Sequence, residues 1–183
     1  MRLTKLEVTR DQLAAGVRFL FLGEGPVAVH TVVAAACNLC SDLVENESAE
    51  GTWEKTVADV NGITLRKYMD LANFAPNFFK HADRDPAATL LFRPEETELL
   101  LWGGIDNYHK LRYLDLPVEL VVYELWFISK WRRVFDGSFT KVRKMIRGAD
   151  ELFPGLHLLP RTEQLRMGQQ VLNSRLALVA SNV

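Results

Sequence analysis

The sequence predicts an all-α fold, a helical bundle of roughly six to eight helices. Two observations carry that prediction. Apolar residues recur at helical spacing through most of the chain, and no series of alternating, strand-like segments interrupts them. Proline and glycine then punctuate the periodic segments, at GEGP 23–26 and at Pro76, Pro86, Pro94, Pro117, Pro154 and Pro160.

Each element follows in order. Thr9 to Gln12 fit a capping box, a hydroxyl three residues before a glutamine, and Leu13, Val17, Leu20 and Phe21 continue at helical spacing. Pro26 suits the first turn of a second helix running to about Val44. That helix is apolar except for one sector holding His30, Asn38, Ser41, Asp42 and Glu45. A polar stripe on a buried helix needs partners, in the chain or in a second subunit. Residues 45–62 read as a loop with a short helix near Trp53 to Val60, and Ile63 to Phe74 as a helix that Pro76 interrupts. Leu90 to Phe92 read as a short extended segment. Pro94-Glu95-Glu96 starts a helix reaching Tyr113, with acids at the positive end of its dipole. Asp115-Leu116-Pro117 starts another, to about Phe135. A short helix over 139–148 and a last one from Arg161 to Val179 complete the chain.

Composition excludes little. The 183 residues are 48% hydrophobic and 25% charged with a net charge of -1, as in ordinary globular domains. Overall charge therefore favours neither nucleic acid nor an anionic membrane as partner. Cys37 and Cys40 form a CxxC, but with helical flanks and no second pair they read as two small apolar residues on a helix. The N-terminal segment lacks the apolar run of a signal peptide, and no uninterrupted apolar stretch has the length of a membrane span. A cytoplasmic protein without membrane contact and without a cofactor is expected.

The chemistry concentrates in NFFKHADRD, Asn77 to Asp85. The imidazole of His81 is a candidate general acid or base; Asp83 or Asp85 would orient it, and Lys80 and Arg84 would hold a phosphate. The plain alternative is that these charges pair at a helix end. His30, His81, Asp83, Asp85 and His109 supply metal-type ligands, but no ExxH or HExxH pair accompanies them, so no metal is expected. His157, between two leucines, reads as a partly buried structural histidine. Lys130, Arg132, Arg133, Lys141, Arg143, Lys144 and Arg147, interleaved with Trp131, Phe135 and Phe139 and with Asp136 as the one acid, form a basic run that suits nucleic acid or simply a solvated face.

The segment APNFFKHA resembles the motif region of HEPN domains, helical domains of prokaryotic defence and toxin–antitoxin systems. Phrases such as NFFKHADRDP and IDNYHKL also resemble a bacterial all-helical family of unknown function. Asn77 and His81 match the polar residue and histidine of the HEPN motif, while Pro76 stands where the motif has arginine. The resemblance implies a single helical domain over 1–183, with a HEPN-like core over 1–130 and a C-terminal helical extension over 131–183. It implies a homodimer with the motif histidines near its two-fold axis, and the polar stripe of His30, Asn38 and Asp42 facing the same cleft. Lacking the arginine, the site is expected to bind RNA or nucleotide without cleaving it, with Lys80, Asp83, Arg84 and Asp85 as contacts. The alternative is a metal-independent endoribonuclease using His81 and Asn77.

Overall fold

The structure, a computed structural model, describes residues 1–48, 50–83, 85–111, 116–135 and 140–181, excluding the side chains of 140–143. Arg84 and Asp115 lie outside the described residues. The described residues form ten α-helices and one 3-10 turn, with no strand among them. The helices are α1 (Lys5–Leu22), α2 (Pro26–Glu47), α3 (Trp53–Val60), α4 (Leu65–Ala72), α5 (Phe74–Lys80), α6 (Glu95–Lys110), α7 (Val118–Lys130), α8 (Arg132–Phe135), α9 (Thr140–Leu152) and α10 (Arg161–Ala180).

The fold is all-α, as the periodicity requires. The two helices beyond the expected range arise by division. Asn73, at φ -88 and ψ 0, separates α4 from α5. Pro76 has no N–H to give the carbonyl of Ala72, so it serves in the first turn of α5, where that donor is not needed. Trp131, at φ -99 and ψ 31, separates α7 from α8 in the same way. Helix α1 begins four residues before the expected cap. Thr4 and Glu7 make the capping box: the Glu7 N–H donates to Thr4 Oγ1 at 3.2 Å, and the Thr4 N–H donates to Glu7 Oε2 at 2.7 Å. That backbone donor holds the Glu7 carboxyl below the usual range. Thr9 is inside the helix, its hydroxyl donating to the Lys5 carbonyl at 3.0 Å. Leu90 to Phe92 have no regular structure.

The chain divides into two compact units. The first comprises Met1–Gly16 and Gly25–Leu114. Its centre is the seam between α2 and α6, its most extensive helix contact. Small residues set the spacing there. A Cβ added to Gly104 would fall inside the van der Waals radius of Cys37 Sγ, and one added to Gly103 would strike the Trp53 ring. Cys37 donates to the Leu100 carbonyl at 3.3 Å, and Cys40 to that of Gly104 at 3.6 Å. Both thiols are buried and free. Burial pushes the Cys37 thiol well above its ordinary value and the Cys40 thiol up to about 12, so neither is a nucleophile at neutral pH. Helix α2 is long and apolar enough to cross a membrane by composition alone; half of its apolar window is buried inside the fold.

The second unit comprises Val17–Glu24 and Asp115–Val183. Helix α7 is its core element, burying Leu120, Tyr123, Trp126 and Ile128 against α9 and α10. Its polar atoms are matched: Trp126 Nε1 donates to the Gln164 carbonyl at 2.8 Å, and Ser129 Oγ to that of Phe153 at 2.9 Å. Gly168 lets the Phe21 ring lie against α10.

Candidate functional site

Helix α5 ends at Lys80, and His81 is its C-cap, with extended backbone and its N–H bonded to the Asn77 carbonyl at 3.1 Å. The return to extended backbone projects the residues after the helix away from its axis. Asn77, Lys80, His81, Asp83 and Asp85 are all exposed. A cleft of about 730 Å³ opens here, lined by Asp70, Phe74, Asn77, Phe78, His81, Asp83, Asp85, Ala88 and Thr89. The fold therefore brings His81, Asn77, Asp83 and Asp85 to one cavity. Lys80 is not among its described lining, and Arg84 lies outside the described residues.

The sequence reading missed Asp70, Phe74 and Phe78. Their signal was present. Asp70, Phe74, Asn77, Phe78 and His81 recur at spacings of three and four, one helical stripe carried across the α4–α5 junction. Reading Pro76 as a break hid that continuity. Three aspartates and a single imidazole are among its described lining. Carboxylates in such a place attract cations.

The polar stripe of α2 divides between two other places. Asn38, Ser41, Asp42 and Glu45 line a second cavity of about 340 Å³, together with Thr52, Glu54, Leu65, Met69 and Asn73. No described residue lines both cavities. The turn of the stripe follows from helix length: residues at the two ends of α2 meet different neighbours. Beneath this second cavity is a buried network. Glu54 is 7% exposed and accepts at Oε2 from Ser41 at 3.2 Å and from Asn107 at 3.0 Å. Asn107 in turn accepts the Trp53 N–H at 2.7 Å.

His30 occupies neither cavity. It is 3% exposed, with Nδ1 2.9 Å from Thr97 Oγ1. Its ring meets Phe92 and Phe79 edge-on, with centroids at 4.9 and 5.8 Å. Burial pushes its pKa down to about 4, so the imidazole is neutral and structural at neutral pH. Among the described residues, no group of three histidine, cysteine, aspartate or glutamate side chains is arranged to hold a metal ion. His109 is exposed on the last turn of α6. His157 is exposed too, contrary to the structural role its leucine neighbours suggested: Leu156 is buried, but Leu158 also points to solvent. A 3-10 turn over Leu156–Leu158 puts successive residues on different sides, and only Leu156 reaches the core.

In the second unit Lys130 and Arg132 of the basic run make contacts within the protein. Lys130 Nζ lies 5.1 Å from the Trp126 ring centroid and 5.7 Å from that of Trp131. Arg132 pairs with Asp150 at 3.2 Å. Phe127 packs on Trp131 and Phe135. Arg133, Lys144 and Arg147 are exposed. Asp136 and Phe139 lie outside the described residues, as do the side chains of Lys141 and Arg143. Trp131 and Phe135 are half-buried.

No protein-family model, curated protein sequence or solved structure matches this chain.

Proposed function

We propose that this chain is a non-catalytic binding module whose working surface is the cleft between Asp70 and Thr89. The observation that carries the reading is the lining itself, three aspartates and an imidazole beside the rings of Phe74 and Phe78. A ligand with a positively charged group next to an apolar one suits that lining. Carboxylates attract the charge, and an aromatic face adds a cation–π contact. The test is a titration followed by backbone amide chemical shifts, with phenethylammonium, phenylpropionate and AMP added separately. Phenethylammonium is expected to shift Asn77 and His81, and the double substitution Asp83→Asn/Asp85→Asn to weaken it. Binding of AMP with no response to phenethylammonium would replace this reading by nucleotide or RNA contact.

A second reading is a metal-independent endoribonuclease. The exposure of His81, with Asn77 one helical turn away on the same cleft, favours it. The homodimer with paired histidines belongs to this reading, with Lys80 or Arg84 as the phosphate contact. The expected result is no cleavage of a mixed single-stranded RNA panel in EDTA. Cleavage by the wild type that His81→Ala abolishes would make His81 catalytic and displace the binding module.

A further inference from the structure

The apolar surface at this site extends beyond the cleft. Leu71 and Phe74 stand three residues apart across the α4–α5 junction, 64% and 62% exposed. Phe74 also lines the cleft, whereas Leu71 is not among its lining residues. Helix α4 packs its half-buried side, Tyr68, Met69 and Ala72, beside α3, and Leu71 and Phe74 stand off that side. An eight-residue helix gains little stability from its own hydrogen bonds. A large apolar pair there, where charged residues would serve solubility better, marks a surface that something covers.

Charge identifies the cover. Asp70, Asp83 and Asp85 line the same cleft as Phe74, so carboxylates stand beside the apolar pair. Resting on the cleft as a cation-binding site, we infer that the α4–α5 face docks a basic amphipathic helical segment of a partner protein. Its apolar residues would cover Leu71, Phe74 and Phe78, and its lysines or arginines would meet Asp70, Asp83 and Asp85.

The test uses the full chain and two synthetic helical peptides, one with leucine along one face flanked by lysine, the other with glutamate in place of lysine. Fluorescence anisotropy reads binding, and sedimentation velocity reads the state of the chain. The lysine peptide is expected to bind, and the glutamate peptide not to bind. Phe74→Ser and, separately, Asp70→Asn should each weaken the lysine peptide by about tenfold or more. Far-UV circular dichroism checks that both variants fold; Asp70→Asn keeps the shape of the side chain. Equal binding of both peptides, or unchanged binding in both variants, overturns the inference. So does a dimer of the free chain that Phe74→Ser dissociates, which would make a second copy the cover. If phenethylammonium binds and the lysine peptide does not, the peptide inference fails and the cleft reading stands. If neither binds, both fall.

Discussion

The α2–α6 seam and the α4–α5 layer belong to the same unit and are both helical, yet they treat apolar surface in opposite ways. Along the seam, Gly104 lets α6 approach Cys37 of α2 so closely that no added Cβ fits, and beside it Gly103 lies under the Trp53 ring of α3 while Glu54 and Asn107 pair their buried polar atoms. Across α4 and α5, leucine and phenylalanine face solvent beside a cleft lined with aspartates. The seam is closely packed, with His30 Nε2 as a buried atom that has no hydrogen bond among the described residues. The layer exposes large apolar side chains. That difference teaches where to seek function, because a buried seam offers a partner little, whereas exposed apolar surface beside carboxylates gains free energy when covered.

The strongest challenge to this contrast is to break the seam's polar network. Replacing Asn107 by leucine removes the donor to Glu54 and the acceptor for the Trp53 N–H, both buried or nearly so. A loss of about 3 to 4 kcal/mol in denaturant unfolding is expected. A loss below about 1 kcal/mol would mean that the network is solvated and that the seam is not the rigid half of the comparison.

A smaller effect comes from His30, which joins the seam to α5 through the Phe79 ring. Its folded pKa, about 4, lies below the ordinary 6.5. The unfolded chain therefore takes up the proton first as pH falls. The stability contributed by neutral His30 is full above pH 6.5, declines between pH 6.5 and 4, and levels off below that. The decline amounts to about 2 to 3 kcal/mol. Chemical denaturation from pH 7 to 4 should show this slope in the wild type beyond the slope of His30→Leu. Parallel curves would place His30 in contact with water.

The smallest effect sharpens the other side. Leu71→Ser and Phe74→Ser should each change stability by less than about 0.5 kcal/mol, since both side chains are mostly in solvent. A loss above about 2 kcal/mol in either variant would show that the layer is packed in the free protein and needs no partner.

Helix positions were legible because capping, proline placement and apolar periodicity act within a few residues of one another. Helix α3 falls on Trp53–Val60 as read, and Pro94 opens α6. Local signals also misled. Two capping boxes compete near the N-terminus, and Thr4–Glu7 prevails over Thr9–Gln12 because the helix already has a stable start there. The site was legible in part. His81, Asn77, Asp83 and Asp85 lie within nine residues of one another, so their convergence needed only a helix end. Asp70 and Phe74 were missed because Pro76 looked like a break in the stripe rather than the first turn of its continuation.

By itself the sequence determined the helical class, the order of the elements and the inertness of the CxxC pair, all of which depend on local spacing and side-chain type. Tertiary structure decided how the residues of the α2 stripe were distributed. His30 was sealed among phenylalanines, Ser41 was paired with Glu54, and Asn38 and Asp42 were set on a separate cavity. It also decided which of the described charged residues near His81 line the cleft. A one-dimensional list holds Lys80 and Asp83 with equal weight, and only the direction in which each side chain leaves the helix end determines which of them a ligand in the cleft meets.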